Sequence, residues 1–321
     1  MNLSHPVTLA SILEAQERIS GHVKRTPLIH SDSISRRLAA NIYLKQEVLQ
    51  KTGAFKVRGA FNKMLMLSAE QRGCGVVAVS GGNHAQAVAY AAAVLGTRAL
   101  IVMPAKTPQN YIDATRAYGA EIEIVPTVAE AFARATAYVE EGRVEIHPFN
   151  DPAVMAGQGT LGLEVLEDLP GLTDLIISIG GGGLMGGVAT AIKEQRPGVR
   201  IWGVETEGAD CMSQALAAGR PVELAAITSI AKTLGAPSAS DETFALAKKY
   251  LENVTVVSDR EAIRESAYIL ERVKIITEPA ASCTLAAAER LRSNFSADSH
   301  VALVLCGGNI ALSDLCRYVG V

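Results

Sequence analysis

Residues 174–192 read DLIISIGGGGLMGGVATAI, which is a short apolar run, four consecutive glycines and a longer apolar stretch. An uninterrupted apolar run of this kind is typical of a strand buried on both faces of a parallel sheet. Glycines after such a strand let backbone N–H groups converge on an anion, and the positive end of the next helix adds to the attraction. The stretch therefore predicts a strand, an anion-binding turn at Gly180–Gly183 and a helix.

Short apolar runs alternate with longer helical patterns along most of the chain, which indicates an α/β fold with a parallel sheet covered on both faces. We predict strands at residues 75–79, 99–102, 121–125, 174–179, 199–204, 254–257 and 301–305. We predict helices at residues 9–19, 84–95, 108–118, 128–141, 184–195 and 260–273. Thr8 is a suitable N-cap for the first helix, because its hydroxyl can accept a hydrogen bond from an unpaired backbone amide.

The composition is that of a globular protein of more than one domain. The 321 residues, 49% of them apolar and 20% charged, correspond to roughly two domains at about 150 residues each. The net charge is -3, so neither nucleic acid nor an acidic membrane is predicted as a partner. The two prolines and the Asn-Asp pair of His147–Pro152 predict a crossing between domains near residue 150.

Cysteine usage and the N-terminus indicate the compartment. The chain has five cysteines and no CxxC pair, which argues against a zinc ribbon or a disulfide scaffold and favours a reducing compartment. The opening MNLSHPVTLA lacks the basic flank and the apolar core of a signal peptide. We therefore expect a cytoplasmic protein.

Two further glycine turns and one lysine are candidates for ligand binding and catalysis. Ser80–His84 and Cys306–Asn309 each follow a predicted strand, at the end where ligands bind in open parallel sheets. Their asparagines suit either a binding role or an ordinary left-handed turn. Lys56 lies between Phe55 and Val57, and apolar neighbours help a lysine lose its proton, which suits Schiff-base chemistry. A reactive amine and a phosphate-binding turn together are what pyridoxal phosphate requires.

The glycine run also fits other classes of protein. Gly181, Gly183 and Gly186 satisfy GxGxxG, and Glu205 ends the next predicted strand. By itself this motif allows an NAD-dependent oxidoreductase, in which Lys56 has no role. A catalytically silent binding protein is a third alternative, which loss of Lys56 or of the glycine run would have supported.

Seven motifs together give the chain a family resemblance. It resembles the serine/threonine dehydratase and serine racemase family of fold-type II pyridoxal-phosphate enzymes. The motifs are Thr26–Leu28, Thr52–Ala60, Ser80–Gln86, Gly180–Gly183, Gly203–Glu205, Glu278–Pro279 and Cys306–Asn309. The resemblance implies a dehydratase or ammonia-lyase that converts a 3-hydroxy L-amino acid to a 2-oxo acid and ammonia by α,β-elimination.

The architecture that the resemblance implies is two open, mostly parallel twisted sheets with helices on both faces. The cofactor, pyridoxal 5'-phosphate, would lie in the cleft between two domains. Residues 1–50 and 150–321 would form a large cofactor-binding domain, and residues 51–149 a small mobile one. A homodimer is expected on the same ground.

The resemblance also assigns a role to individual residues. Lys56 would bind the cofactor as a Schiff base and later remove the Cα proton. The other cofactor contacts would be Phe55 beside the ring, Asn83 at the 3'-oxygen, Gly180, Gly181, Gly182, Gly183 and Leu184 around the phosphate, Cys306 at the pyridine nitrogen and Glu278 near the ring edge. The substrate would meet the loop that contains Ser80, Gly81, Asn83, His84 and Gln86. A buried core thiol and a structural histidine are the alternatives for Cys306 and His84.

Three departures from the family pattern limit what is implied. Racemases of the family carry a serine where this chain has Gly81, so racemisation is expected only as a minor activity. A divalent-cation site in part of the family would need an acidic residue where Cys211 stands, so no metal is predicted. Ala54 and Lys232 differ from common relatives, which suggests a bulkier or acidic 3-hydroxy amino acid. Lys232 is either a surface lysine or a residue of the substrate entrance.

Overall fold

The computed structural model of the chain describes residues 6–320. The strands are β1 (Leu28–His30), β2 (Asn41–Gln46), β3 (Val76–Val79), β4 (Ala99–Pro104), β5 (Glu121–Val125), β6 (Val144–Glu145), β7 (Asp174–Ser178), β8 (Arg200–Thr206), β9 (Asn253–Val257) and β10 (His300–Leu305). The α-helices are α1 (Leu9–Ile19), α2 (Asp32–Leu38), α3 (Val57–Leu65), α4 (Ala69–Cys74), α5 (Asn83–Leu95), α6 (Gln109–Ala117), α7 (Val128–Glu140), α8 (Pro152–Asp168), α9 (Gly183–Lys193), α10 (Cys211–Ala218), α11 (Asp241–Tyr250), α12 (Asp259–Val273), α13 (Pro279–Arg290) and α14 (Leu312–Val319). Short 3-10 turns occupy Glu47–Leu49, Lys51–Gly53, Lys232–Leu234 and Arg292–Asn294.

The strands form two open sheets. The larger has six strands in the order β1-β2-β10-β7-β8-β9, and the smaller has four in the order β5-β4-β3-β6. Among the strands of the described residues, only the pairing of β1 with β2 is antiparallel. The predicted fold class, two mostly parallel sheets with helices on both faces, is confirmed.

Burial in the smaller sheet shows why its strands are continuous apolar runs. Val76 and Ala78 of β3 belong to one core cluster, whereas Val77 and Val79 belong to another that includes residues of α7. Because successive side chains of a strand point to opposite faces, both faces of β3 are covered. A strand in this position needs an apolar residue at every place.

The chain leaves the larger sheet after β2 and returns to it at β7. Helix α8 contributes to the cores of both halves. Its Val154 packs in the core beside the smaller sheet, and its Leu161 packs in the core of the larger sheet. The domain division at residues 50 and 150 stays a prediction.

The predicted helices and strands are all present, with ends that differ by one or two residues. Helix α1 begins as predicted, because the Thr8 hydroxyl accepts a hydrogen bond from the Ser11 amide at 3.2 Å. Among residues 6–320, no helix has the length and apolar character needed to cross a membrane.

Candidate active site

A cavity of about 310 Å³ is lined by turns that follow strands of both sheets. In open parallel sheets, the carboxyl ends of neighbouring strands bring such turns together. The predicted site residues that line the cavity are Phe55, Lys56, Ser80, Gly81, Asn83, His84, Gly180, Gly181, Gly182, Gly183, Leu184, Glu278 and Cys306. Gln86 is buried one turn further along α5 and is not among the lining residues. Its contact with substrate stays a prediction.

Lys56 immediately precedes α3 and reaches into the cavity. Its Nζ donates a hydrogen bond to the Pro148 carbonyl at 2.6 Å and lies 5.1 Å from the centre of the Phe55 ring. Burial lowers the pKa of the Lys56 amine to about 8, although Cys306 and Glu278 favour its charged form. The amine therefore loses its proton more easily than an ordinary lysine does.

The loop before Lys56 is tied to the turn after β10. The Phe55 amide donates to the Cys306 carbonyl at 3.1 Å, and the Gly308 amide donates to the Gly53 carbonyl at 3.0 Å. Gly53 has a φ of +71°, and a Cβ at this position would lie 2.5 Å from Asn309 Oδ1. A glycine suits this position, because its backbone is in the left-handed region and a Cβ would displace the Asn309 side chain.

The tetraglycine turn has no space for side chains. A Cβ on Gly181 would collide with the ring of Phe149, and a Cβ on Gly182, whose φ is +93°, would lie 2.7 Å from Thr243 Cβ. None of the described residues accepts a hydrogen bond from the backbone amides of Gly181, Gly182 or Gly183, where α9 begins. These unpaired amides and the positive end of α9 form a binding place for an anion.

Glu278 accepts hydrogen bonds from two polar side chains in another part of the cavity wall. Its Oε1 accepts hydrogen bonds from Asn83 Nδ2 at 2.8 Å and from Thr233 Oγ1 at 3.0 Å. Its Oε2 is buried and has no partner among the described residues. Burial raises the pKa of the Glu278 carboxyl to about 7, although the hydrogen bonds from Thr233 and Asn83 favour its charged form. Glu278 therefore titrates near neutral pH.

The two asparagines of the glycine turns bind each other and have no left-handed backbone. Asn309 Nδ2 donates to Asn83 Oδ1 at 2.9 Å and to the Thr52 carbonyl at 2.6 Å. Neither asparagine has a positive φ. The alternative in which they are left-handed turn residues is therefore wrong.

Cys306 is a neutral thiol in the cavity wall. Its Sγ lies 3.4 Å from Ser178 Oγ and 3.5 Å from the Ala280 carbonyl oxygen. Burial, and after it the charge of Glu278, raises the pKa of this thiol to about 12. The thiol thus remains protonated and can donate only a weak hydrogen bond.

His84 is a neutral histidine at the start of α5. Its Nε2 donates to the Ile146 carbonyl at 2.7 Å, so the proton lies on this nitrogen. Nδ1 is buried without a partner among residues 6–320. Burial, together with the charge of Lys56, lowers the pKa of His84 to about 3. At neutral pH, His84 can accept a hydrogen bond at Nδ1 but carries no charge.

Several lining residues escaped the sequence analysis. They are Lys106, Thr107, Val128, Phe132, Pro148, Phe149, Ile227 and Thr233. Pro148 and Phe149 belong to the segment interpreted as a domain crossing, Thr233 directly follows Lys232, and the other five are in no recognised motif. Lys232 is both exposed and part of the cavity wall, so the two interpretations of this residue are compatible.

Glu205 is held by the backbone. Its two carboxylate oxygens accept hydrogen bonds from the Met212 amide at 2.9 Å and the Ser213 amide at 2.7 Å, at the start of α10. The Cys211 thiol lies 3.6 Å from the Gly180 carbonyl oxygen. The described part of the chain contains no group of three or more His, Cys, Asp or Glu that could hold a metal ion. The expectation of no metal stays a prediction.

Known proteins resemble the whole chain. A family described as "Pyridoxal-phosphate dependent enzyme" matches residues 19–307. The L-threonine ammonia-lyase of Thermotoga maritima is 41% identical over 98% of this chain and 78% of its own length. The catabolic L-threonine dehydratase TdcB of Escherichia coli is 35% identical over 98% of this chain and 97% of its own.

Solved structures agree with the sequence comparisons. Maize serine racemase superimposes with a TM-score of 0.93 at 36% identity, covering 98% of both chains. The processed form of threonine deaminase isoform 2 from Solanum lycopersicum gives a TM-score of 0.90 at 32% identity, covering 100% of this chain and 91% of that one.

Proposed function

Because the chain belongs to the family of pyridoxal-phosphate-dependent enzymes, we propose that it is a dehydratase that converts L-threonine to 2-oxobutanoate and ammonia. It is a pyridoxal-phosphate-dependent lyase, similar over its whole length to ammonia-lyases. Membership of this family excludes the alternative of a nicotinamide cofactor at the GxGxxG motif. The observation that carries the proposal is a lysine of lowered pKa that shares one cavity with the anion-binding turn at Gly180–Gly183.

The residues present fit the cofactor. The amides of Gly181–Leu184 would hold its phosphate, because they are unpaired and a side chain on the glycines would fill their space. Lys56 Nζ would bind its aldehyde carbon covalently, since a neutral amine is the required nucleophile. The other proposed contacts are Phe55 beside the ring, Asn83 at the ring oxygen, Glu278 near the ring edge and Cys306 at the ring nitrogen.

When bound, the cofactor delocalises the electron pair that remains on Cα after its proton leaves. We assign the removal of this proton to Lys56, whose Nζ is free to act as a base once the substrate amine has taken its place. The 3-hydroxyl departs as water, and hydrolysis of the released enamine gives 2-oxobutanoate and ammonia. The elimination releases one water, made of the 3-hydroxyl and a proton, and the hydrolysis consumes one water, so the two products together have the composition of threonine.

Two features favour elimination over racemisation. Gly81 has no side chain that exchanges a proton with substrate. The protonated thiol of Cys306 stabilises a positive ring nitrogen less than a carboxylate would. Gly81 therefore cannot return a proton to Cα on the face opposite Lys56, and the weak support of the ring nitrogen shortens the time for which Cα lacks its proton, so we propose that racemisation is at most a minor activity.

Threonine is the proposed substrate because the similar proteins of Thermotoga maritima and Escherichia coli are named as an L-threonine ammonia-lyase and an L-threonine dehydratase. Val128, Phe132 and Ile227 contribute apolar surface to the cavity wall, and apolar contact favours threonine over serine by roughly the transfer free energy of one methyl group. Lys106 and Lys232 are exposed in the same wall, which favours an acidic 3-hydroxy amino acid as the second candidate.

A substrate panel tests this proposal. Ammonia and 2-oxo acid are measured with L-threonine, L-serine, 3-hydroxyaspartate and 3-phenylserine. We expect the highest kcat/KM with L-threonine and a loss of at least about a hundredfold in Lys56→Ala, because the base is gone. Lys248→Ala, an exposed lysine outside the cavity, is the control. A cofactor-loaded enzyme that leaves L-threonine unchanged would contradict the proposal.

We further propose that the enzyme is a cytoplasmic homodimer. All five cysteines are free, which supports a reducing compartment. The homodimer rests on the family resemblance, and light scattering of the purified protein tests it.

A further inference from the structure

Thr107 follows β4 in a loop that lines the cavity, and its hydroxyl has no partner. The Thr107 amide donates to the Pro104 carbonyl at 2.9 Å, which fixes the loop. The side-chain Oγ1 is buried and makes no hydrogen bond with any residue of the described chain. A buried hydroxyl without a partner is costly, and a native structure normally supplies one.

The Thr107 side chain occupies the space next to Gly81, in the turn before α5. A Cβ on Gly81 would lie 2.5 Å from Thr107 Oγ1 and 3.4 Å from Thr107 Cβ. The glycine and the threonine are therefore complementary, because the hydroxyl lies where a side chain of residue 81 would project. The missing side chain brings the Thr107 hydroxyl against the Ser80–His84 turn.

This turn presents unpaired backbone amides, which carry partial positive charge, to a ligand. Within residues 6–320 no group accepts a hydrogen bond from the backbone amides of Asn83 and His84, the first residues of α5. The helix adds the positive end of its dipole. Ser80 Oγ accepts a hydrogen bond from the Gly82 amide at 3.1 Å, and its O–H can still donate to a ligand. A carboxylate at this place would meet unpaired amides and the Thr107 hydroxyl together.

We propose that Thr107 binds substrate, its hydroxyl donating a hydrogen bond to the carboxylate of the amino acid beside the first amides of α5. This inference rests on the proposed function only in taking an amino acid as the ligand. The cofactor phosphate is assigned to the other glycine turn, so the carboxylate is the remaining anion in the cavity. A hydrogen bond to a charged acceptor is stronger than a neutral one.

Two other threonines show that Thr107 is distinct. Thr233 also lines the cavity, but its hydroxyl donates to Glu278. Thr115 in α6 has a buried hydroxyl that makes no hydrogen bond with residues 6–320, but it does not line the cavity. Thr107 alone, of the described threonines, combines a free hydroxyl with a place in the cavity wall. Thr115→Val is therefore a matched control.

The test uses the holoenzyme and two amino acids that differ only in the 3-hydroxyl. L-2-aminobutyrate is titrated against the cofactor absorbance to give a Kd, and kcat/KM is measured with L-threonine. We expect Thr107→Val to weaken L-2-aminobutyrate binding and to lower kcat/KM for L-threonine by about tenfold each. Thr107→Ser restores both values to within about threefold, since it keeps the hydroxyl, and Thr115→Val changes neither.

The outcomes separate this inference from the proposed function. An unchanged Kd for L-2-aminobutyrate in Thr107→Val overturns the inference, whatever happens with threonine. A loss confined to L-threonine overturns it too, because the hydroxyl would then contact the 3-hydroxyl of the substrate. If Thr107→Val fails to fold, Thr107→Ala replaces it. A wild-type enzyme that binds L-2-aminobutyrate but leaves L-threonine unchanged refutes the proposed function and leaves the Kd comparison intact.

Discussion

Lys56 shows how much of the chemistry is set by the surroundings of one residue. The amine is held at the Pro148 carbonyl and beside the Phe55 ring, and burial lowers its pKa to about 8. An ordinary lysine has a pKa of about 10.4. At pH 8 roughly half of the Lys56 side chains are therefore neutral and able to attack a carbonyl.

The pH dependence of cofactor uptake tests this residue. We expect the rate at which the cofactor-free protein takes up pyridoxal phosphate to rise with pH to a plateau, with a midpoint near the Lys56 pKa of about 8. The rise follows because only the neutral amine is a nucleophile. Stopped-flow absorbance gives the rate.

A second variant checks the cause. Glu278→Gln should move that midpoint to lower pH, because the carboxylate favours the charged amine. A midpoint of the wild-type protein near that of an ordinary lysine would refute the assignment.

At the scale of elements, a buried cluster of charged side chains holds helix α3 against its neighbours. Arg58, which is 0% exposed, bonds Glu47 at 2.8 Å and Glu164 of α8 at 2.7 Å. Lys45 of β2 also pairs with Glu164. The cluster joins β2, the Glu47–Leu49 turn, α3 and α8, and Lys56 lies directly before α3.

Removing the arginine leaves two buried carboxylates that share one lysine. We expect Arg58→Leu to lower the free energy of unfolding by about 3–5 kcal/mol, the usual cost of breaking a buried pair. Urea unfolding monitored by circular dichroism measures the change.

The exposed pair of Arg134 with Glu123 is the matched control. Arg134→Leu should leave stability close to that of the wild-type protein, because solvent screens such pairs. Equal stability of Arg58→Leu and Arg134→Leu would show that the cluster is not needed.

At the scale of the whole molecule, hydrogen bonds join the two sheets around the cavity. Tyr111 of α6, which follows the smaller sheet's β4, donates its hydroxyl to the carbonyl of Asn309 after β10 of the larger sheet. Asn83 and Glu278 form a second link of this kind. These polar contacts join the sheets beside the cavity, in addition to α8, which packs in both cores.

Tyr111→Phe tests the first of these links. We expect amide hydrogen exchange in the smaller-sheet half, residues 76–145, to become faster by roughly fivefold, which corresponds to a hydrogen bond of about 1 kcal/mol. Mass spectrometry of the exchanged protein gives the rates.

Tyr90→Phe is the control for this variant, because the Tyr90 hydroxyl makes no hydrogen bond within the described chain. Unchanged exchange in Tyr111→Phe would mean that the Tyr111 hydroxyl does not hold the sheets together.

Three of the elements that the sequence analysis did not predict have a physical explanation. Helix α8 is buried at every position from Val154 to Leu166, so it lacks the polar face that gives a helical period. Strand β6 has two residues, too few for an alternating pattern. Helix α13 is buried over ten consecutive residues, from Pro279 to Ala288. Like α8, it therefore shows no helical period in its sequence.

The sequence by itself determined the fold class and the cofactor, and it predicted the two parts that we propose hold it. Buried parallel strands, glycine turns at their ends and a lysine between apolar neighbours are local patterns, because each is imposed by the backbone or by adjacent residues. Only the tertiary structure brought Thr107 against Gly81, Phe149 against the tetraglycine turn and Tyr111 to Asn309. These contacts join residues far apart in the chain, and they depend on how the two sheets pack, which no local pattern encodes.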